Sequence, residues 1–369
     1  MFDRRNVLQF LAASGATACA SQLPMESAIR RPLHLAPVHI SADREIRTVV
    51  GLRPFRPSGF VVRPEKLGEK LIVHNYGHGG GGVTLSWGTA HLAVRAALET
   101  GARRMAVLGS GAVGLATARL LQLAGVGVTI YAGTLPPGTT SNIAGAQIFP
   151  TTVYEHDALT RPFREQFVLA SEFSFRWYQS LIGDLYGVRW MTNYLVSDGP
   201  PNEDGLHGQR SPIRELLPAL ADLRPGEHPF GPRHVRRFET MIVEPATYLA
   251  QVMRDFRMAG GEFVVQQFGA VQQVLSLPEP VILNCTGLGA GPLFGDIELT
   301  PIKGQLTVLL PQPEVDYAVL AGDLYMFSRK DGLLLGGTRE RGVSTLTPNL
   351  EAKQRILDGH RQLFASSTS

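Results

Sequence analysis

The chain has 369 residues, 44% of them hydrophobic and 18% charged, which supplies a sizeable core and suits two domains more readily than one. Lys and Arg number 35 against 32 Asp and Glu; a net charge of +3 with few basic runs gives no footing for a nucleic-acid partner. With only Cys19 and Cys285 present, loss of the front segment would leave no intrachain disulfide, so disulfides cannot be what holds the fold.

At the front, Arg4 and Arg5 precede an apolar stretch at residues 7–18, too short to span a bilayer. Ala18-Cys19-Ala20 offers a small-x-small cleavage site, so residues 1–20 read as a signal peptide. The paired arginines resemble a twin-arginine signal, the route by which folded proteins reach the periplasm. A short helix with two chance arginines, or lipid attachment at Cys19, stays open as an alternative. Residues 21–46 are Pro-rich and unpatterned, as a linker would be, and no later stretch reads as a membrane span.

The next block is Gly51-Leu52-Arg53-Pro54-Phe55-Arg56-Pro57. Its two prolines hold the chain extended and present Arg53 on a stiff backbone, suited to bidentate recognition of a carboxylate. An ordinary surface ion pair is the competing reading. A short strand at 71–73 then leads into a glycine loop, His74-Asn75-Tyr76-Gly77-His78-Gly79-Gly80-Gly81-Gly82-Val83-Thr84, and a helix reaching residue 98. The N–H groups at the start of that helix suit an electron-rich ring edge. His74 and His78 lie four apart in a strand-to-loop segment, where that spacing shares no face, so no metal is expected.

Residues 105–108 form an apolar strand that runs into Gly109-Ser110-Gly111-Ala112-Val113-Gly114, then a helix over 115–123 and a strand over 126–131. Strand, GxGxxG, helix and strand together make a dinucleotide fingerprint, with a tight turn, close approach to a pyrophosphate and close helix–strand packing as the three glycine duties. The second strand ends Tyr131-Ala132-Gly133 without the acidic ribose contact on which nicotinamide enzymes lean, which favours FAD. Further helices are expected at 163–181, 245–258 and 349–364. Cys285 reads as a small buried residue, and Asn284 and Thr286 as satisfying backbone groups at a strand end.

Taken together these blocks resemble the D-amino-acid oxidase family. The likeness rests on the Arg-Pro segment at 53–57, the His-Asn-Tyr-Gly-His loop at 74–84, the GxGxxG strand and the Thr-rich loop Thr139-Thr140-Ser141-Asn142-Ile143-Ala144-Gly145. It extends to Asn284-Cys285-Thr286-Gly287 and to Tyr325 ahead of a strand ending Leu335-Gly336-Gly337. In the family the first two blocks close the chain, whereas here they open it, the order a circular permutation would produce. The resemblance implies an α/β, Rossmann-like FAD-binding domain from residues 69–150 and 238–287. An α+β substrate domain with a mixed, largely antiparallel sheet would come from 47–68, 151–237 and 288–364.

It also implies roles. Arg53 would pair with a substrate carboxylate, helped by Tyr325, and the Gly80 carbonyl would accept from the amine, so that Cα hands a hydride to the flavin. Gly109, Gly111, Ala112, Val113 and Gly114 would serve the pyrophosphate beside Thr139 and Thr140. Ala144 and Gly145 would lie along the flavin ring, Thr286 and Gly287 near the nucleotide, and Gly79, Gly80, Gly82, Val83 and Thr84 at the flavin edge. The implied reaction takes a D-amino acid to a 2-oxo acid and ammonia, with O2 or another acceptor closing the cycle and an oligomer left open. D-aspartate, glycine or a secondary amine is the nearest alternative substrate, Arg329 and Arg339 being candidates for the cation that an acidic side chain needs. An inactive flavin-binding protein is the alternative of another class. Gly133, Ala321 and Gly81 depart from the family pattern, the last two in the direction of a more open pocket.

Overall fold

The computed structural model describes residues 33–365; the signal-like segment lies outside them. The first half runs β1 (Glu45–Phe55), β2 (Val61–Leu67), β3 (Lys70–Tyr76), α1 (Ser86–Leu98), β4 (Arg104–Leu108), α2 (Ala112–Leu123) and β5 (Gly127–Ala132). The middle comprises α3 (Arg161–Ser180), β6 (Val188–Ser197), β7 (Ala221–Leu223), β8 (His234–Val243), α4 (Pro245–Met258), β9 (Glu262–Val265), α5 (Val271–Leu275), β10 (Val281–Asn284) and α6 (Ala290–Phe294). The last part is β11 (Thr300–Leu309), β12 (Tyr317–Ala321), β13 (Leu324–Arg329), β14 (Gly332–Gly336), β15 (Glu340–Arg341) and α7 (Leu350–Ala365).

These strands form two sheets. The six-stranded one has the order β2-β3-β10-β4-β5-β9 and is parallel from β3 onward. Both its faces are covered, which is why β4 and β10 read as unbroken apolar runs rather than alternating ones. Met105 and Val107 face the large core shared with α1 to α4, while Ala106, Leu108 and Ile282 face Val274 and Leu277 on the other side.

The second sheet has nine strands, in the order β1-β11-β14-β13-β12-β6-β8-β7 with β15 on β11. All its pairings are antiparallel except β12 with β6, the mixed, largely antiparallel arrangement expected. One face packs under α7 through Leu309, Met326, Leu333, Ile356 and Leu357. Leu306, Phe327 and Leu334 belong to the opposite face.

Sheet membership differs from the expected division at two places. β2 belongs to the six-stranded sheet, because only Gly68 and Glu69 separate it from β3 and the two close as a hairpin from Val61↔Tyr76 to Leu67↔Lys70. β8 belongs to the nine-stranded sheet, paired along its whole length with β6 from Val188↔Val243 to Ser197↔His234. The end of the expected linker is also docked rather than loose. Leu33, Leu35, Ala36, Val38 and Ile40 pack on the core beneath α7, and the Tyr317 hydroxyl donates to the Ala36 carbonyl at 2.7 Å. Gln312 clamps the same segment, accepting from His39 N at 2.8 Å and donating to the Pro37 carbonyl at 3.2 Å.

Candidate active site

In an open parallel sheet the loops at the carboxyl ends of the strands frame a crevice. Here the loops after β3, β4, β5 and β10 all border one cavity of about 1240 Å³, closed opposite by β1, β11, β13 and the loop that follows β14. That exceeds the roughly 300–1,000 Å³ of an ordinary small-ligand site and leaves room for a dinucleotide and a small acid together.

The dinucleotide end is built from glycines. Gly109 takes φ +97 where β4 turns into α2, and a Cβ there would lie 2.5 Å from the Cys285 carbonyl oxygen. A Cβ on Gly114 would overlap the Gly109 carbonyl oxygen, so α2 rests directly on the turn. Gly114 is the one expected cofactor residue that does not border the cavity; Gly109, Gly111, Ala112 and Val113 do. Ser141 Oγ accepts from Ala112 N at 3.0 Å, joining the Thr-rich loop to the start of α2. Thr139, Thr140, Ala144 and Gly145 border the same space, as do Thr286 and Gly287 across from them. Replacing Gly114 by Ala is expected to separate helix from turn and yield protein that purifies without yellow colour. Its folding, read by far-UV circular dichroism, should survive, since the strain is of the order of 1–3 kcal/mol.

The glycine loop ahead of α1 brings Gly79, Gly80, Gly82, Val83 and Thr84 to the cavity wall. Its peptide groups are held from behind: the Val83 carbonyl accepts from Tyr178 Oη at 2.8 Å and Ser86 Oγ at 2.9 Å. Asn75, wholly buried, borders the cavity and its Oδ1 has no hydrogen-bond partner in the protein. Such an orphaned acceptor calls for a donor from a bound group. A Cβ on Gly82 would meet only His78 Cβ, at 3.9 Å, so this wall is kept bare of side chain.

At the other end Arg53 and Tyr325 come together. They are 272 residues apart in the chain, yet Arg53 Nη2 donates to Tyr325 Oη at 3.3 Å and Nη1 to the Thr338 carbonyl at 3.3 Å. The sheet places them: β1 pairs with β11, which pairs with β14, which pairs with β13. Two glycines to which the sequence assigned no role make the arrangement possible. A Cβ on Gly304 would come within 2.6 Å of Arg53 Nη2, and one on Gly336 would overlap the Tyr325 ring. Both sit inside strands, where an interior glycine signals close approach of another group.

The two candidate cations part company. Arg329 is buried and committed, with Nε and Nη2 on Asp331 at 2.8 Å each and Nη1 on the Ala144 carbonyl at 2.9 Å. It is therefore removed as a cation for substrate. Arg339 borders the cavity, stacks at 5.5 Å over Phe55, and has no carboxylate at ion-pair distance among the described residues. Arg355 borders the cavity as well.

His74 and His78 serve separate partners, Glu65 with Asn284 for the first and Thr89 for the second. Burial pushes the Cys285 thiol up to about 12, leaving it a neutral packing group. Beyond the expected residues, Gln266 and Gln267 border the cavity next to Gly133, and a Cβ on Gly133 would touch Gln267. His207 also borders it, stacked on Phe149 at 4.2 Å and held by burial down to about 4.

The family model described as DAO, FAD dependent oxidoreductase, matches residues 104–368. The chain belongs to that family. Among curated relatives, human D-aspartate oxidase is 27% identical over 263 residues, covering 69% of this chain and 74% of the relative. D-amino-acid oxidase from Rubrobacter xylanophilus is 28% identical over 261 residues, covering 69% and 75%. Among solved structures, glycine oxidase from Geobacillus kaustophilus superposes with a TM-score of 0.54 at 17% identity, over 71% of this chain and 78% of that one. Iminodiacetate oxidase from Chelativorans sp. BNC1 gives 0.52 at 15%, over 71% and 79%, so both likenesses concern the fold.

FAD is the cofactor of this oxidoreductase. The residues present fit it: a bare glycine wall, an orphaned buried acceptor on Asn75, and a GxGxxG turn opening a helix whose N-terminus faces the cavity.

Proposed function

We propose that this oxidoreductase deaminates D-amino acids. The reading is carried by Arg53 and Tyr325 in contact on the wall of the cavity that the dinucleotide loops also border. The Arg53 guanidinium would hold the α-carboxylate in a bidentate pair, with the Tyr325 hydroxyl as a further donor. The Gly80 carbonyl would accept from the neutral amine. With carboxylate and amine each held, only one hand can also turn its Cα hydrogen toward the cofactor space, and positioning rather than a general base carries the work. When bound, FAD supplies a hydride acceptor for the hydrogen on Cα. Loss of that hydride leaves a C=N bond, which water hydrolyses to a 2-oxo acid and ammonia, with O2 as the final acceptor giving peroxide. The test is anaerobic addition of D- and L-amino acids to the yellow protein. Bleaching of the visible band by D-isomers alone supports the reading. Bleaching only by glycine or secondary amines, or by no amine at all, rejects it.

Arg339 favours a second reading, an acidic side chain on the substrate, in keeping with the relative named D-aspartate oxidase. On that reading Arg339→Gln lowers kcat/KM for D-aspartate by about tenfold or more, the effect of unpairing one desolvated charge, and leaves D-alanine within about twofold. Equal losses for both substrates count against it.

Two further parts of the proposal concern the chain rather than the chemistry. Permuted order is supported by the family match beginning at Arg104, although β1 to β3 are integral to both sheets. It is also supported by α7 lying against the start of β1, Lys353 Nζ being 3.1 Å from Glu45 Oε2. Export through a twin-arginine signal rests on residues 1–20, outside the described part, and is tested by fractionating cells that carry the full chain and an Arg4→Lys, Arg5→Lys variant.

A further inference from the structure

Behind the cofactor cavity a line of hydrogen bonds runs from a half-exposed carboxylate through a buried histidine to the turn after β10. His74 is wholly buried on β3, opposite Asn284 on β10 and Arg63 on β2. Its Nε2 lies 3.0 Å from Glu65 Oε2, and its Nδ1 lies 3.1 Å from Asn284 Nδ2. Asn284, also wholly buried, accepts at Oδ1 from Thr286 N at 3.2 Å and from Thr286 Oγ1 at 2.7 Å. Thr286 and Gly287 border the cavity, with Gly287 at φ +59.

One backbone N–H fixes every proton in this line. Thr286 N can only donate, so the atom facing it must be the Asn284 oxygen, and the Asn284 amino group must face His74. His74 Nδ1 must then offer its lone pair, so the ring is neutral and its single N–H, on Nε2, donates to Glu65. A second proton on His74 would set Nδ1–H against the Asn284 amino group. Turning the Asn284 amide over only moves the conflict, since its amino group would then face Thr286 N–H. Either way one buried bond of the line is lost.

We propose that His74 is a positioning residue whose neutral form holds the Thr286–Gly287 turn in its FAD-binding shape, and whose protonation releases FAD. Burial already holds His74 below the ordinary histidine range, as does the Arg63 charge, while Glu65 and Asp296 act in the opposite sense. Asp296 is itself shared with Arg56 at 2.7 Å and with the Tyr76 hydroxyl at 2.8 Å, and Phe294 packs edge-on against the imidazole. The sign follows from these contacts. Bound FAD braces the turn, so the proton affinity of His74 is lower with FAD than without it. FAD affinity is then full while His74 is neutral in the free protein, and falls as the pH drops through its value there, by up to about tenfold per pH unit for one proton.

The experiment measures the dissociation constant of FAD by flavin fluorescence from pH 4.5 to 8.0, for the parent, His74→Gln, His74→Leu and Glu65→Gln. Glutamine can donate to Glu65 and accept from Asn284 but cannot titrate. His74→Gln is expected to match the parent at pH 8 and to lose the acid branch. His74→Leu should bind FAD weakly at every pH, and Glu65→Gln should move the acid branch to lower pH. His78 also borders the cavity and burial holds it down to about 3, below the window, as it holds His207 near its lower edge. A flat parent profile overturns the proposal, and so does an acid branch that His74→Gln leaves in place. The readout is FAD release, so it is independent of which substrate is oxidised.

Discussion

Arg53→Leu is expected to leave the protein yellow and to slow its bleaching by every D-amino acid severely. The guanidinium stands at the cavity wall, tied to Tyr325 Oη and the Thr338 carbonyl at 3.3 Å each, and no hydrogen bond links it to the glycine loops. On the proposed reading, removing it deletes a bidentate, charge-assisted pair with the substrate carboxylate and leaves that carboxylate without a counter-charge. Truncating one partner of such a desolvated pair costs about 2–5 kcal/mol, a loss in kcat/KM from about thirtyfold to several thousandfold. Stopped-flow reduction of the visible band measures it directly. Loss of colour in the variant would mean that Arg53 builds the fold around FAD rather than holding substrate.

Gly336→Ala is expected to be nearly as damaging, although glycine can touch no substrate. A methyl group there would overlap the Tyr325 ring from the neighbouring strand, since Tyr325 and Gly336 are direct partners in the β13–β14 ladder. The ring must swing off the sheet and take its hydroxyl away from Arg53. With FAD retained and the melting temperature within a few degrees of the parent, kcat/KM should fall by about a hundredfold, most of it in KM, and Tyr325→Phe should reproduce only the hydroxyl's share. Misplacement of a binding group by 1 Å is enough for a loss of that order. Gly304→Ala acts on Arg53 in the same way from the other side, its Cβ falling 2.6 Å from Nη2.

These two positions show where reading the residues in order reached its limit. The GxGxxG unit was legible because a strand, a glycine turn and a helix leave a local signature, and Gly109 and Gly114 do the turning and packing that the pattern implies. Arg53 and Tyr325 could be paired only through the family resemblance, since no local rule joins residues 272 apart. Gly304 and Gly336 carry only an unspecific signal, because an interior strand glycine means close approach without saying of what. Arg329 and Arg339 were indistinguishable as charges. Arg329 shares the face of β13 with Tyr325, but four residues further along, about 13 Å at a strand rise of about 3.3 Å. That distance takes it out of the cavity lining, behind the wall, where it holds the Ala144 carbonyl. Arg339 follows β14 and stays at the wall.

The division into domains was blurred for a similar reason. β2 carries no mark of its sheet in its own composition, and only the two-residue turn before β3 decides it. The stretch at 33–40 has no periodicity because it forms neither helix nor strand, yet Leu33, Ala36 and Ile40 find an apolar surface that exists only once α7 has packed.

The hairpin joining β12 to β13 turns through Gly322 and Asp323 alone, with its ladder intact up to Ala321↔Leu324, and both turn residues stand at the cavity. A flap of that span has almost no slack in which to swing. Entry and departure at this mouth would then proceed through a standing aperture, with the outline of the doorway rather than the rhythm of a gate sorting molecules by bulk.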